Sequence, residues 1–135
     1  MGQLAQAVND FNKAIEIDAK QALVWNSRGL AKADLGESAS AIEDFTEMIR
    51  LNPGSAVAYN NRGFVHRDMG NLDSAIRDLD KAIELDDALV NAYYNRTLAN
   101  ILLGRDDEAQ EDADKAVELG YDPDALVAAI NGLRN

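Results

Sequence analysis

The stretch ALVWNSRGLAKADLGESASAIEDFTEMIRLNPGS, residues 22–55, decides the fold. Its first half sets Trp25, Arg28, Gly29, Lys32 and Leu35 at helical spacing. Its second half does the same with Ala41, Ile42, Phe45, Met48, Ile49 and Leu51. Gly36 between the halves reads as a helix stop, and Pro53-Gly54 after Asn52 closes the unit. The stretch is therefore a helix, a tight turn, a second helix and a second turn.

Outward from this stretch, the same residue types return every 34 positions. Glycine recurs as Gly2, Gly36, Gly70 and Gly104, alanine as Ala7, Ala41, Ala75 and Ala109, and aspartate as Asp10, Asp44, Asp78 and Asp112. An aromatic recurs as Trp25, Tyr59 and Tyr93. A globular enzyme has no reason to repeat residue types at one fixed interval. A solenoid does, because each unit presents the same faces to like neighbours. Small residues such as Gly29, Gly63, Ala82 and Ala116 stand where helices come closest, surrounded by Phe45, Leu79 and the aromatics. Burying one large side chain is worth about 1.5–3 kcal/mol, too little for one helix pair, so the units must stack. The expected fold is all-α, one array with repeats 22–55, 56–89 and 90–123.

The register puts Gly2 at an internal turn, which makes residues 1–21 a half repeat whose helix, about 3–18, lacks a covering first helix. Asp122-Pro123-Asp124 is a helix start, and a terminal helix over 124–135 resembles the first half of another unit. The expectation is a segment of a longer array with this helix as its cap. The helix over 3–18 has an apolar face carrying Leu4, Val8, Phe11, Ile15 and Ile17. The terminal helix carries Leu126, Val127, Ile130 and Leu133. These complementary ends offer a route to self-association through the terminal helices.

Composition narrows the function classes. The 135 residues contain no cysteine and one histidine, His66, which leaves no disulfide and no cysteine- or histidine-rich metal site. No apolar run approaches the roughly 18–20 residues that span a bilayer. The N-terminal MGQLAQAVNDF has no basic start followed by an apolar stretch, so the default compartment is the cytoplasm. A formal charge of −11 argues against nucleic acid as a partner. GESAS and its counterparts lack the Gly-Lys-Ser/Thr of a phosphate loop, and no nucleophile stands beside a base. Neither an enzyme nor a cofactor is expected.

The set Trp25, Gly29, Gly36, Ala41, Phe45 and Pro53 resembles the tetratricopeptide repeat. It returns as Tyr59, Gly63, Gly70, Ala75 and Ala82, and again as Tyr93, Gly104, Ala109 and Ala116. Thr97 replaces the usual glycine, Ala113 the usual aromatic, and His66 a frequent tyrosine at an inward packing position. The resemblance implies a right-handed superhelical α-solenoid with first helices lining a concave groove and second helices outside. Most acids then fall on the convex layer, as in RDDEAQEDAD at 105–114. Arg28, Arg62 and Arg96 take a usually apolar position turned away from the groove, and suggest a ladder of ion pairs with the periodic aspartates. Spacing permits pairing within a repeat or with the preceding one, with a slight preference for Arg28–Asp10, Arg62–Asp44 and Arg96–Asp78.

Groove positions implied by the resemblance are Leu23, Asn26, Ser27, Leu30 and Ala33, then Val57, Asn60, Asn61, Phe64 and Arg67, then Asn91, Tyr94, Asn95, Leu98 and Ile101. Primary amides both donate and accept, so Asn61 and Asn95, with Ser27 as a weaker rung, suit the backbone of an extended peptide. The carboxylate clamp of chaperone-binding members would fall on Asn26, Leu30, Asn61, Asn91 and Asn95. Only Asn61 fits it, and every cationic position is empty. The expected function is a protein-interaction module that holds an extended peptide or partner segment. A structural spacer and a regulatory domain of a larger protein stand as alternatives.

Overall fold

The recurrent glycines fix where helices stop. In the computed structural model, which describes residues 1–135, the chain forms eight α-helices. They are α1 (Gly2–Ile17), α2 (Ala22–Asp34), α3 (Ser38–Leu51), α4 (Ala56–Asp68), α5 (Leu72–Leu85), α6 (Val90–Leu102), α7 (Asp106–Glu118) and α8 (Pro123–Arg134). No helix is long and apolar enough to cross a membrane. Gly36, Gly70 and Gly104 have φ of +81°, +81° and +73°, a region where a Cβ is strained. After each glycine the next N–H bonds back over the turn: Glu37 to the Lys32 carbonyl at 2.8 Å, Asn71 to His66 at 2.9 Å, Arg105 to Asn100 at 2.8 Å. These closures reverse the chain and lay α2 on α3, α4 on α5 and α6 on α7.

The turns between pairs are built differently. After α1, α3 and α5 the chain leaves through Asp18, Asn52 and Asp86, each with φ near −150° to −142°. The turn after α7 departs from this pattern. Gly120 has φ +109°, and the Tyr121 N–H bonds the Ala116 carbonyl at 2.9 Å, the closure otherwise seen inside a repeat. Asp122 then caps α8 by accepting from the Asp124 N–H at 3.0 Å. Thus α8 is reached by a different linkage from α2, α4 and α6.

Each second helix also packs on the first helix of the next pair: α1 on α2, α3 on α4, α5 on α6. In addition α2 touches α4, α4 touches α6 and α6 touches α8, while the second helices make no comparable contact with one another. The first helices therefore form the tighter, inner layer of an α-solenoid.

Size complementarity holds each pair together. A Cβ on Gly29 would stand 2.7 Å from the Phe45 ring, and one on Gly63 would stand 2.9 Å from Leu79. In the third pair both partners change: Thr97 replaces the glycine and Ala113 the large residue, and both are buried. Thr97 Oγ1 donates to the Tyr93 carbonyl at 2.8 Å, so its hydroxyl is satisfied. The two departures offset each other in volume.

The arginine ladder corrects the preference for the preceding repeat. Arg28 Nε and Nη2 bond Asp44 at 2.9 and 2.7 Å, Arg62 bonds Asp78 at 2.8 and 2.8 Å, and Arg96 bonds Asp112 at 2.8 and 2.6 Å. Pairing is within the repeat because the tight glycine turn folds the second helix directly back along the first. The remaining Nη1 reaches backward instead, to Asn12 at 2.8 Å, Thr46 at 3.1 Å and Asp80 at 2.9 Å. Each guanidinium also lies over the aromatic three residues earlier, at 4.9 Å from Trp25, 5.6 Å from Tyr59 and 5.8 Å from Tyr93. One arginine thereby joins three helices. Hydrogen bonding to Asp78 and Asp112 pushes the Arg62 and Arg96 pKa values further up, so both stay charged.

A second position serves the same aspartates. Lys32 Nζ lies 3.4 Å from Asp44, His66 Nε2 3.9 Å from Asp78, and Asn100 Nδ2 donates to Asp112 at 3.2 Å. Burial pushes the His66 pKa down, against the upward pull of Asp78, and its Nδ1 is buried with no partner.

Candidate functional site

The inner layer carries the groove residues singled out by sequence, and its two halves differ. On α2 and α4, Leu23 is 73% exposed, Val57 46% and Leu30 41%. Leu23 and Leu30 are seven residues apart on one helix face, and Val57 repeats the Leu23 position one unit later. Large apolar side chains left in water at repeating positions mark a contact surface more often than scattered single ones do.

Among them stand the amides. Asn61 Nδ2 donates to Asn26 Oδ1 at 2.7 Å, joining α4 to α2. That bond uses the Asn26 oxygen and one Asn61 N–H, and leaves the Asn26 NH2 and the Asn61 oxygen without a side-chain partner. Both residues are half-buried, as is Ser27.

The other half is tied up. Asn95 Nδ2 donates to Asn60 Oδ1 at 2.9 Å, and Asn95 Oδ1 accepts from Arg67 Nη1 at 3.0 Å. Asn60, Asn95 and Leu98 are buried. Arg67 also bonds Asp68 at 3.1 Å and lies 5.1 Å over the half-buried Phe64 ring. Tyr94 stacks on Tyr121 with centroids 4.8 Å apart, and burial raises the Tyr121 pKa. Asn91 is exposed. The structure thus brings Asn26, Leu30 and Asn61 together with Leu23 and Val57, and uses Asn60 and Asn95 to hold α4 against α6. Tyr121 escaped the sequence reading because it belongs to the aberrant turn before α8 and has no repeat counterpart.

Acids dominate the outer layer. Asp106, Asp107 and Glu108 fill the first turn of α7, where they favour the positive end of its dipole. A polar cleft of about 240 Å³ between α5, α6 and α7 is lined by Asp80, Arg96, Asn100 and Asp112, so it belongs to the ion-pair ladder. No three His, Cys, Asp or Glu side chains are placed to hold a metal ion.

Family models described as tetratricopeptide repeat match residues 22–55 and 56–87, and one described as TPR repeat matches residues 1–36. Among solved structures, MamA superposes with a TM-score of 0.82 at 26% identity, over 88% of this chain and 70% of that one. The Arabidopsis OM64 TPR domain superposes with a TM-score of 0.77 at 29% identity, over 84% and 93%. The second TPR of Spaghetti (RPAP3), solved bound to the HSP90 peptide SRMEEVD, gives 0.72 at 28% identity, over 75% and 94%. No curated protein sequence matches the chain. With its recurrent glycine turns, its inner layer of first helices and these matches, the chain belongs to the tetratricopeptide repeat family, a right-handed α-solenoid built as a protein-interaction module.

Proposed function

We propose that the inner face of α2 and α4 holds an extended, predominantly apolar segment of a partner protein. The observation that carries this reading is the exposure of Leu23, Leu30 and Val57 around amide groups of Asn26 and Asn61 that no other side chain uses. Seven helical residues separate Leu23 and Leu30 by roughly 10 Å. Neighbouring helix axes also lie roughly 8–10 Å apart. A segment in the extended polyproline-II conformation advances about 3.1 Å per residue with three residues per turn, so apolar side chains at every third residue share one face about 9 Å apart and match these spacings. The free amides then pair with peptide N–H and C=O groups, while Phe64, Asn91 and Tyr94 extend the surface toward α6.

Charge selects further. Asn26, Leu30, Asn61, Asn91 and Asn95 supply no cation, and Arg67 is committed to Asp68 and Asn95. Exposed Asp34 and Asp68 edge the groove. An acidic tail of the SRMEEVD kind is therefore a poor match, and a neutral or basic segment a good one. This function requires neither catalysis nor a cofactor.

Selection from a displayed random-peptide library, followed by calorimetry, tests the reading. Leu30→Asp with Val57→Asp is expected to weaken the selected peptide at least tenfold, since each lost apolar contact is worth about 1.5 kcal/mol or more. Undiminished affinity would overturn the groove assignment, and a library yielding no binder would favour a spacer.

A further inference from the structure

The side chains around the ladder arginines recur every 34 residues, and their charge changes along the array. In the first repeat Lys32 stands beside the rung. Its ammonium Nζ lies 3.4 Å from Asp44 Oδ2 and donates to Ser40 Oγ at 3.5 Å. In the second, Arg77 donates to Ser74 at 3.0 Å, and His66 Nε2 lies 3.9 Å from Asp78. Each of these repeats thus keeps a cationic side chain of its own besides the ladder arginine.

The third repeat inverts this arrangement. Asn100 stands at the Lys32 position and Glu111 at the Arg77 position, while Glu108 replaces Ser40 and Ser74. These residues line the cleft of about 240 Å³ between α5, α6 and α7. Asn100 is 4% exposed, and its Nδ2 donates to Asp112 Oδ2 at 3.2 Å, the oxygen that corresponds to the one beside the Lys32 ammonium. Asn100 Oδ1 accepts from no group of the chain and opens on the cleft. Asp80, Glu108 and Glu111 are exposed along its walls. Arg96 is committed to Asp112 and Asp80, and Arg105 at the start of α7 is the other cation. Four carboxylates face two guanidinium groups, so the lining is net acidic.

We propose that this cleft binds a primary alkylammonium group, which takes the place that the Lys32 ammonium fills in the first repeat. The ammonium has three N–H donors and no acceptor, which suits the Asn100 oxygen at the floor and the Glu108 and Glu111 carboxylates above it. A metal ion is the poorer occupant, because no three acidic side chains converge to hold one. The inference rests on the internal repeats and is independent of the groove on α2 and α4. A lysine side chain of a partner and a free alkylamine carry the same group.

Titration of the isotope-labelled full chain, followed by proton–nitrogen NMR spectra, tests it with three probes: n-butylamine, acetyl-lysine methylamide and tetramethylammonium. The first two are expected to give saturable shifts at the Asn100 side-chain amide and the Glu108 and Glu111 backbone amides. Tetramethylammonium, which has the charge but no N–H, should not. Tighter binding of the lysine derivative assigns the group to a protein side chain, and equal or tighter binding of n-butylamine assigns it to a free amine. Asn100→Lys gives the cleft an ammonium of its own and should abolish the Glu108 and Glu111 shifts, with an unchanged circular dichroism spectrum, since Lys32 occupies the equivalent position. Glu108→Gln with Glu111→Gln should weaken binding about fivefold, and because both residues are exposed this variant does not depend on packing at Asn100. Absence of saturable shifts, an equal response to tetramethylammonium, or undiminished binding by either variant would overturn the proposal.

Discussion

Replacing Arg62 by methionine isolates one rung of the ladder. Asp78 is 6% exposed and receives two guanidinium N–H groups at 2.8 Å. With Arg62 gone, the nearest cationic candidate is His66 Nε2 at 3.9 Å, whose pKa burial holds down, so the carboxylate has no charged partner at neutral pH. Breaking a buried pair from one side costs about 3–5 kcal/mol, and the 21% exposure of the Arg62 side chain places this case near 3. For a chain of this size that is a fall in Tm of about 12 °C. The double variant Arg62→Met, Asp78→Asn removes the stranded charge and should recover about 2 kcal/mol relative to additivity, whereas Arg62→Met with Asp44→Asn should add within about 0.5 kcal/mol. Urea unfolding followed by circular dichroism measures all of these values. Coupling to Asp44 in place of Asp78, or a loss under about 1 kcal/mol, would refute the within-repeat ladder.

Two further outcomes follow from packing and titration. Gly29→Val should destabilise the array by about 2 kcal/mol through the clash with Phe45, and Phe45→Ala in the same chain should cost less than it does alone, as the Thr97 and Ala113 pairing implies; additive melts would contradict it. His66 has a folded pKa below its ordinary 6.5, because burial outweighs the pull of Asp78. On acidification the unfolded chain therefore takes up the proton first. The stability present above about 6.5 is lost as pH falls through 6.5 toward the lower folded value. Relative to His66→Gln, the natural chain should thus weaken between about pH 7.5 and 5.5, and a pH-independent difference would contradict this.

The repeat was legible because its punctuation is steric: Gly36, Gly70 and Gly104 adopt positive φ, and few other residues can. Gly29 and Gly63 were legible as close-approach positions for the same reason. Thr97 and Ala113 were visible as departures, but that they offset one another requires knowing that they face each other. The arginine pairing was ambiguous because each guanidinium reaches 16 residues both ways, forward to an aspartate and backward to Asn12, Thr46 or Asp80. The asparagines read as columns 34 residues apart. Their bonds instead run from Asn61 to Asn26 and from Asn95 to Asn60, 35 apart, crossing between columns. In-register comparison does not see that crossing, and it decides which amides remain free.

The central claim is that the open half of the inner face receives the partner. Methyl and side-chain amide NMR spectra of the chain, saturated with a peptide selected for binding, test it most directly. The account predicts that the Leu23, Leu30 and Val57 methyls and the Asn26 and Asn61 amides shift together, while Val117 and Val127, exposed on α7 and α8, stay in place. Shifts at Val117 or Val127 with a silent set at Leu23, Leu30 and Val57 would contradict it.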